Sequence, residues 1–569
     1  MRRLATAVVL GLVALGAAGA PAGAPAPADL VLINGAVYTV DGARSWAEAV
    51  AVSGGRIGFV GTAAAAKPWI GPQTKVVDLA GKMVLPAFHD SHVHPISGGM
   101  EALECDLHGL ATADEVLEAV RKFAAAHPDA AWIRGGGWDL TLFPAGNPSK
   151  ALLDRIVPDR PVLLDASDGH SAWANSKALA VAGITKATPD PPLGRIERDA
   201  SGQPSGALRE DAVGLVSRHL PRRTAKDHEA GLRKGLQIAN AFGLTSLEEA
   251  SASERELAAY EALDARGELT ARVSVSITAD TDKVLADVPR IKALRERYRG
   301  KRFHADAVKI FADGVLETRT AAVLLPYIGF GDDRGKTNLA PADFRALATA
   351  LDALGFQIHV HAIGDRAIRD TLDALEAAQK ANGIRDARHH IAHLELIDPA
   401  DIPRFRRLGV IANFQPFWAN GDQYITELTE PELGPARSRW LYPIASVAAS
   451  GAVTAFGSDW SVSSMNPLDG IEVTVTHREP PKGPGPAWLP QEQITLPQAI
   501  AGYTIAGAYL DFTEKETGSI EAGKAADLIV LDRNLFEIPP SQIHDAKVLW
   551  TLLEGKEVYR AEGFSPPSP

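Results

Sequence analysis

Cysteine is nearly absent from the sequence, since Cys105 is the single cysteine among 569 residues. A chain with one cysteine cannot form an internal disulfide, so its stability must come from a packed core. Cys105 itself is expected to act as a small buried apolar residue rather than as a catalytic thiol.

Runs of lysine and arginine are absent as well, and the formal net charge is -12. Nucleic-acid binding depends on clustered basic side chains that neutralise phosphates, so a nucleic-acid partner is excluded. A glycine-rich phosphate turn after the first buried strand is also missing, which disfavours an open doubly wound sheet.

What the chain does have at its start is two arginines, an apolar stretch and a tail of Ala, Gly and Pro, the layout of a secretory signal. Residues 1–28 are predicted as the signal peptide, cut after Ala28, with a cut near Ala18 or Gly19 as the alternative. An uncleaved anchor is the competing interpretation. We expect an exported protein, periplasmic or secreted, with no stable membrane span after signal cleavage.

Short β-prone runs separated by turn signals occur at both ends of the chain. "ADLVL" and "INGAVY" near the start resemble "ADLIVL" and "LEGKEVY" near the finish. We predict that residues 29–84 and 515–569 form one composite β-sandwich, with the middle of the chain inserted into it.

Strand-like and helix-like runs alternate through the middle of the chain, and counting "MVLPAFHDSHVH" as the first gives eight strands. We predict an α/β fold: a (β/α)8 TIM barrel of residues 85–97 and 226–514, with its active site at the C-terminal ends of the strands. Residues 98–225 are far more than one βα unit needs. They are predicted to form an inserted lobe over the active-site mouth.

Eight histidines fall in three clusters at or near the ends of predicted barrel strands, namely His89, His92 and His94; His359 and His361; and His389, His390 and His393. Alternate residues of a strand share a face, so the two histidines of "HVH" can point into the mouth together. Lys309 and Asp459 end two further strands. Alone, Lys309 could be a packed wall residue and Asp459 a helix N-cap. Together, groups of metal-site type on five strands favour a metal centre.

The motifs "LPAFHDSHVHP", "DGHSAWANSKAL", "VKIFADGVLETRTAAVLLPY", "HVHAIGD", "RHHIAHLELI" and "GSDWSV" resemble the amidohydrolase superfamily. The resemblance is closest to its amidohydrolase-3 branch, which includes N-substituted formamide deformylase. It implies a divalent metal centre, zinc in the first place, with one or two ions. The residues that match the family's ligands are His92, His94, His361, His393 and Asp459. Lys309 resembles the lysine that is carbamylated when two ions are bound.

Three positions depart from the family pattern, Ala87, His89 and Ala392, while Asp90 is expected to orient a neighbouring ligand. These departures leave the ligands intact but change their surroundings.

The resemblance implies hydrolysis of a carbon–nitrogen bond other than a peptide bond, in an N-acyl or N-formyl amide. Metal-bound hydroxide would attack, and Asp459 would carry the proton to the leaving nitrogen. Contacts to this small-molecule amide are expected from His170, Arg319, Trp138, Trp418 and Trp460. Two alternatives stay open: an ester, lactone or cyclic-amide hydrolase using the same site, and a catalytically inactive exported binding protein. A homodimer is also left open.

Overall fold

The structure is a computed structural model that describes residues 25–480 and 485–565. Of the predicted signal peptide, residues 1–24 lie outside the described residues. Within the two described ranges, none of the helices combines the length and the apolar character that crossing a bilayer requires.

The strands of the described chain are short, and the longest have nine residues. In chain order they are β1 (Leu30–Ile33), β2 (Ala36–Tyr38), β3 (Trp46–Ala47), β4 (Ala49–Ser53), β5 (Arg56–Gly61), β6 (Lys75–Asp78), β7 (Met83–Pro86), β8 (Phe88–Val93), β9 (Cys105–Asp106), β10 (Ile133–Trp138), β11 (Val162–Ala166), β12 (Ser171–Ala174), β13 (Gly194–Arg198), β14 (Pro204–Glu210), β15 (Leu244–Ala252), β16 (Arg272–Thr278), β17 (Phe303–Phe311), β18 (Gln357–Ala362), β19 (His390–His393), β20 (Ile411–Phe414), β21 (Thr454–Phe456), β22 (Leu528–Leu531), β23 (Val548–Leu553) and β24 (Lys556–Arg560).

The α-helices alternate with the strands through the middle of the chain. They are α1 (Ala63–Ala66), α2 (Pro95–Glu101), α3 (Ala113–Ala126), α4 (Lys150–Ile156), α5 (Ser176–Val181), α6 (Asp211–Ser217), α7 (Ala225–Ala241), α8 (Glu254–Ala265), α9 (Val288–Arg297), α10 (Pro341–Ala353), α11 (Asp365–Asn382), α12 (Ile402–Leu408), α13 (Glu430–Leu433), α14 (Pro435–Ser438), α15 (Ile444–Ala449), α16 (Pro467–Thr476), α17 (Leu496–Gly502) and α18 (Ile505–Leu510). Several begin with capping boxes, such as Thr224 with Asp227 at α7 and Ser253 with Glu256 at α8.

The eight predicted barrel strands form one sheet in the order β21-β20-β19-β18-β17-β16-β15-β8. All of its paired neighbours are parallel. The strands are buried on both faces, because helices cover the outside and side chains fill the inside. The TIM-barrel prediction is confirmed, and the C-terminal strand ends bring His92, His94, His361 and His393 to one mouth.

The seam between the first and last barrel strands is closed just beyond β21. The backbone N–H of Asp459 donates to the His92 carbonyl at 2.7 Å, and the N–H of His94 donates to the Trp460 carbonyl at 2.9 Å. The first and last strand ends are therefore hydrogen-bonded at the point where three of the predicted ligands lie.

Strands from both chain ends share one six-stranded sheet, ordered β24-β23-β22-β7-β2-β3, beside a four-stranded sheet ordered β5-β4-β1-β6. The C-terminal strand β22 lies between β23 and β7, pairing Leu528 with Pro86. Apolar side chains of both sheets pack in one core, which includes Leu32, Val50 and Leu552. This arrangement places β7, directly before the first barrel strand, inside a sheet that the C-terminus completes.

The segment after the first barrel strand forms a mixed six-stranded sheet, ordered β13-β14-β12-β11-β10-β9. It has apolar clusters of its own, one built around Trp138, Trp173 and Leu164. We refer to residues 98–225 as the lobe. Its loops reach the barrel mouth, because several of them line the same cavity as the barrel residues.

Helix α2, which follows His94, packs closely against α7 through glycines. A methyl group added at Gly99 would lie 1.9 Å from the carbonyl oxygen of Gly231, and one at Gly235 would lie 2.1 Å from that of Pro95. Only glycine permits backbones to approach this closely. The glycines thus fix the position of α2 and of the ligand strand that leads into it.

Candidate metal centre and active site

His92, His94 and Asp459 converge at the barrel mouth. Nε2 of His94 lies 3.1 Å from Oδ1 of Asp459, and Nε2 of His92 lies 3.5 Å from the same oxygen. Ligand atoms of all three lie within 4.8 Å of one another. Two imidazoles and a carboxylate at these separations form a donor set of the kind that binds zinc.

The other three predicted ligands lie around this group. Nδ1 of His393 is 3.8 Å from Oδ2 of Asp459, and the rings of His361 and His393 are 4.4 Å apart. The Lys309 amine lies 3.3 Å from Nε2 of His92. The structure thus brings all six residues together from strands that are distant in sequence.

Unpartnered atoms in this group fit a metal ion. Nδ1 of His393 has no hydrogen-bond partner in the described structure, although the residue is only 2 % exposed. Buried polar atoms normally find a partner. Nε2 of His361 donates to the carbonyl of Gly314 at 3.1 Å, which leaves Nδ1 as the lone-pair nitrogen. The available nitrogens and oxygens match the preference of a divalent ion.

The backbone is strained where the last two ligands enter the mouth. His393 and Asp459 have φ of 77° and 54°, and Leu394 has φ of 56°. Non-glycine residues rarely adopt the left-handed region, and such strain concentrates at functional sites. The surrounding barrel therefore holds these ligands in a conformation that their local sequence does not favour.

Burial controls the charge of the residues in the site. Desolvation lowers the pKa of Lys309 to about 7, against the opposing effect of Asp459 and two glutamates. At His94 burial also lowers the pKa, but hydrogen bonds to Asp459 and Glu249 outweigh it and raise the value to about 9. A lysine shifted in this way has a substantial neutral fraction at physiological pH.

Two adjacent carboxylates on β15, both absent from the sequence prediction, support the first-strand histidines. Oε1 of Glu249 lies 3.4 Å from Nδ1 of His94, and its other oxygen accepts a hydrogen bond from the Tyr260 hydroxyl at 2.9 Å. Both carboxylates are 2 % exposed or less. Carboxylates that hold the far nitrogen of a ligand imidazole fix its orientation and raise its basicity.

Glu248 reaches His92 indirectly, through His359. Its Oε1 lies 3.2 Å from Nδ1 of His359, whose Nε2 lies 2.9 Å from Nδ1 of His92. His390 completes this fully buried group, with Nε2 3.3 Å from the same Glu248 oxygen. We call Glu248, His359 and His390 the inner cluster. The sequence "LTSLEEA" places two acidic residues in a predicted buried strand, and this pattern could have been used to predict the inner cluster.

The remaining residues of the histidine clusters have structural partners. Asp90 accepts hydrogen bonds from the backbone of His92 and Ser458, at 3.2 and 2.9 Å, so it ties the first ligand strand to the last one. His89 is paired with Asp511, and His389 contacts Asp352 at 3.1 Å. None of these contacts leads into the cavity.

A cavity of about 580 Å³ opens above the predicted ligands, within the usual size range of small-molecule sites. His361, His393 and Asp459 form part of its lining, and so do three predicted substrate contacts, His170, Trp418 and Trp460. The Trp418 ring stacks on His393 with centroids 5.5 Å apart.

His170 is held beside the ligands by Glu210. Its Nδ1 lies 2.9 Å from Oε2 of Glu210, and its ring centroid is 5.4 Å from that of His361. Burial lowers the pKa of His170, but Glu210 outweighs this effect and raises it to about 10. Since Nδ1 is used, Nε2 is the nitrogen left to face a substrate.

Two predicted substrate contacts lie elsewhere. Trp138 is fully buried in the lobe, and its Nε1 donates to the Leu164 carbonyl at 2.9 Å. Arg319 is paired with Glu432 at 2.7 Å and stacks over the Phe330 ring, outside the cavity lining. Trp138 therefore packs in the lobe core, and Arg319 forms an ion pair in a loop.

Comparisons with known proteins agree with this geometry. The amidohydrolase family matches residues 75–559. The chain is 33 % identical to Protein LONG AFTER FAR-RED 3 of Arabidopsis thaliana, over 94 % of this chain and 92 % of that protein. It is 30 % identical to N-substituted formamide deformylase of Arthrobacter pascens, over 94 % of this chain and 99 % of that protein. A crystal structure of an uncharacterized metal-dependent hydrolase from Pyrococcus furiosus is similar with a TM-score of 0.69 and 26 % identity, covering 89 % of this chain and 99 % of that one.

Proposed function

Because the chain belongs to the amidohydrolase family, we propose that it is a metal-dependent hydrolase that cleaves the carbon–nitrogen bond of a small amide. One observation carries the proposal: six side chains of metal-ligand type lie together, and three of them line a cavity large enough for a small molecule. The relationship to an N-substituted formamide deformylase supports an N-formyl or N-acyl amide as the substrate.

The residues that would hold the ion are those that converge on Asp459: His92, His94, His361 and His393. A bound divalent ion, with zinc favoured by the nitrogen-rich donor set, supplies an acidified water at neutral pH and polarises the substrate carbonyl. Asp459 lies beside these ligands and lines the cavity, so its carboxylate accepts the proton of the attacking water. The same group then returns the proton to the leaving nitrogen, which cannot depart as an anion.

His170 has a separate role in this proposal. As an imidazolium held by Glu210, it directs Nε2–H towards the carbonyl oxygen and stabilises the negative charge that develops there. Trp418 and Trp460 supply apolar faces for the substituent on the nitrogen and help to exclude water.

Lys309 fits the role of a carbamylated bridge between two ions. Carbamylation requires the neutral amine, and burial lowers the pKa of this lysine enough to supply it. The intact mass of the protein should then show one added CO2 that acid removes. Lys309→Ala should lower the number of ions bound per chain, and an unchanged number would contradict the bridge.

The central test is metal removal. We expect chelation to abolish hydrolysis of a panel of N-formyl and N-acetyl amides, measured as amine release, and addition of Zn²⁺, Mn²⁺ or Co²⁺ to restore it. Matched esters in the panel distinguish an esterase. Full activity of the metal-free protein, or no activity towards any amide after metal addition, would refute the proposal.

Asp459→Asn tests the proton transfer. We expect this variant to retain bound metal and to lose turnover by about 100-fold or more, the usual contribution of a general base. Asp332→Asn, which makes the same change at an exposed position, is the control and should keep the wild-type rate. Wild-type turnover by Asp459→Asn would exclude this role for the carboxylate.

A further inference from the structure

The cavity wall above the metal ligands is lined by acidic side chains. Among its described lining residues there is no lysine or arginine, while six carboxylates besides Asp459 line it: Asp139, Asp168, Glu317, Glu395, Asp422 and Glu479. The acids come from the lobe, from barrel loops and from the segment after α16. They therefore surround a bound molecule rather than forming one exposed acidic patch.

Three of these carboxylates have local structural roles. Oδ1 of Asp139 accepts from the Thr141 backbone at 2.8 Å, Asp168 accepts from the Ser171 hydroxyl at 2.6 Å, and Asp422 accepts from the Ile425 backbone at 3.0 Å. Each shapes a loop at the mouth. No lysine or arginine of the lining is paired with them.

Among the described residues, neither Glu317 nor Glu395 forms an ion pair with a lysine or arginine, and Glu395 accepts a hydrogen bond from the Tyr442 hydroxyl. Glu395 is only 6 % exposed and faces the cavity two residues after the His393 ligand. Glu317 lies in the loop after β17, and the nearby Arg319 is engaged by Glu432 outside the cavity. A buried carboxylate without a counter-charge is costly, so such groups usually serve a ligand or a proton.

His170 is the imidazolium of the lining, and it is paired with Glu210, which lies outside the lining. Its charge favours the ionised form of Glu317, but its hydrogen bond is made to Glu210. Glu317 therefore keeps its oxygens available to a ligand.

We propose that this cavity selects small amides that carry a positively charged ammonium group away from the scissile bond. This inference rests on the proposed amide hydrolysis and specifies its substrate class. The Glu317 carboxylate would accept a hydrogen bond from the ammonium group, and Trp418 and Trp460 offer aromatic faces that attract cations. A substrate with a free carboxylate would be repelled by the same wall.

The ionisation of Glu317 is consistent with an open cation position. Burial raises its pKa to about 7, the charges of Asp168 and Asp422 raise it further, and His170 acts in the opposite direction. An ammonium group placed beside this carboxyl would favour its charged form. Binding would then relieve a cost that the free protein carries.

Three matched substrates test the inference: mono-N-acetylated diaminobutane, N-acetylpentylamine and N-acetylaminopentanoate. They share one amide and one chain length and end in an ammonium, a methyl and a carboxylate group. A charge-assisted hydrogen bond corresponds to about 10- to 100-fold, so we expect kcat/KM to fall by at least about tenfold from the ammonium to the methyl compound. The carboxylate compound should be the poorest substrate.

Glu317→Gln locates the effect, because glutamine keeps the shape and removes the charge. It should lower the ratio of kcat/KM for the ammonium compound to kcat/KM for the methyl compound by about tenfold or more. Bound metal is measured in the variant, so that a loss of metal is distinguished from a loss of selectivity. Glu427→Gln, an exposed position outside the lining, is the matched control.

Calorimetric titration of the same compounds into metal-loaded Asp459→Asn separates binding from turnover. Tighter binding of the ammonium compound, weakened by Glu317→Gln, supports the inference even if the wild-type protein hydrolyses none of the three, an outcome that would count against amide hydrolysis alone. Equal affinity for all three compounds, or preference for the carboxylate, would overturn the inference while leaving amide hydrolysis intact.

Discussion

At the scale of single residues, the orientation of His92 depends on groups that never reach the cavity. Its Nδ1 faces Nε2 of His359, and His359 in turn faces Glu248. Because a neutral imidazole donates through one nitrogen and accepts through the other, this chain leaves Nε2 of His92 as the lone-pair nitrogen for a metal. The inner cluster thus determines which atom the first ligand offers.

We therefore expect Glu248→Gln to weaken metal binding by about 10- to 100-fold, the usual effect of removing a group that orients a ligand. Competition against a chelator of known affinity measures this change. Glu472→Gln is the matched control, since Glu472 is a buried carboxylate 2.7 Å from His544 but lies outside the site. Equal weakening by both variants would point to a general loss of stability instead.

Residue identities in the site were largely predictable, and side-chain directions were not. Histidines at or near strand ends indicated three clusters, because the barrel geometry places the C-terminal strand ends at one mouth. The family resemblance then selected His92, His94, His361 and His393 from these clusters. Whether Trp138 points into the lobe core or into the cavity depends on contacts with Trp173 and Leu164, which no local pattern specifies.

Glu248 and Glu249 could have been identified, because two acids in a nine-residue buried strand need partners. The acidic wall could not. Glu317 and Glu395 lie in loops 78 residues apart, and only the folded cavity brings them to one surface.

At the scale of elements, the contact between α2 and α7 positions the first ligand strand. Helix α2 begins at Pro95, directly after His94, and the Pro95 carbonyl lies where a side chain at position 235 would have to go. Any group larger than hydrogen at position 235 must push α2 away, and His94 would move with it.

Gly235→Ala should accordingly lower the free energy of unfolding by about 1–3 kcal/mol, the typical cost of overpacking, and weaken metal binding as well. Thermal unfolding and chelator competition measure the two effects. Gly214→Ala in α6 is the control, because nothing lies within 4 Å of the added methyl group and alanine favours helix. If Gly235→Ala kept the wild-type melting temperature, α2 and α7 could move apart without loss of stability, and the prediction would be wrong.

The positions of the strands along the sequence could be predicted more accurately than the pairing between strands. All eight barrel strands were predicted from apolar runs that lie between segments with helical periodicity. Parallel strands give such continuous apolar runs because they are buried on both faces. The strand order of the mixed lobe sheet could not be predicted, since its short strands pair across loops whose lengths give no register.

At the scale of the whole molecule, the C-terminal segment contacts the residues that lead into the barrel. The Ala87 N–H donates to the Asp527 carbonyl at 2.9 Å, one residue before the first barrel strand begins. Asp527 also pairs with Arg272 at the start of β16. The C-terminal strands therefore brace the barrel as well as the sheet to which they belong.

We propose that the protein is exported and that its signal is cut upstream of Ala28. Ala28 is 3 % exposed, its N–H donates to the Trp69 carbonyl at 2.8 Å, and its carbonyl accepts from the Thr74 hydroxyl at 2.6 Å. A cut after Ala28 would remove these contacts, whereas the alternative cut near Ala18 or Gly19 would keep them.

A chain that begins at Asp29 should lose about 1–3 kcal/mol of unfolding free energy relative to one that begins at Ala28, because two hydrogen bonds lose a partner. Denaturant unfolding of the two chains measures the difference, and N-terminal sequencing of exported protein gives the cut directly. Equal stability, or a mature N-terminus at Asp29, would contradict the upstream cut.

The hydrogen bonds at the barrel seam also set an order of events during biosynthesis. His92 lies in the first barrel strand and Asp459 just beyond the last one, and they meet only when the ring closes. A ribosome that has delivered the first histidines must add about 365 more residues before Asp459 follows. Incomplete chains therefore cannot assemble the full ligand set, and the centre becomes available to an ion only as one of the last steps of folding.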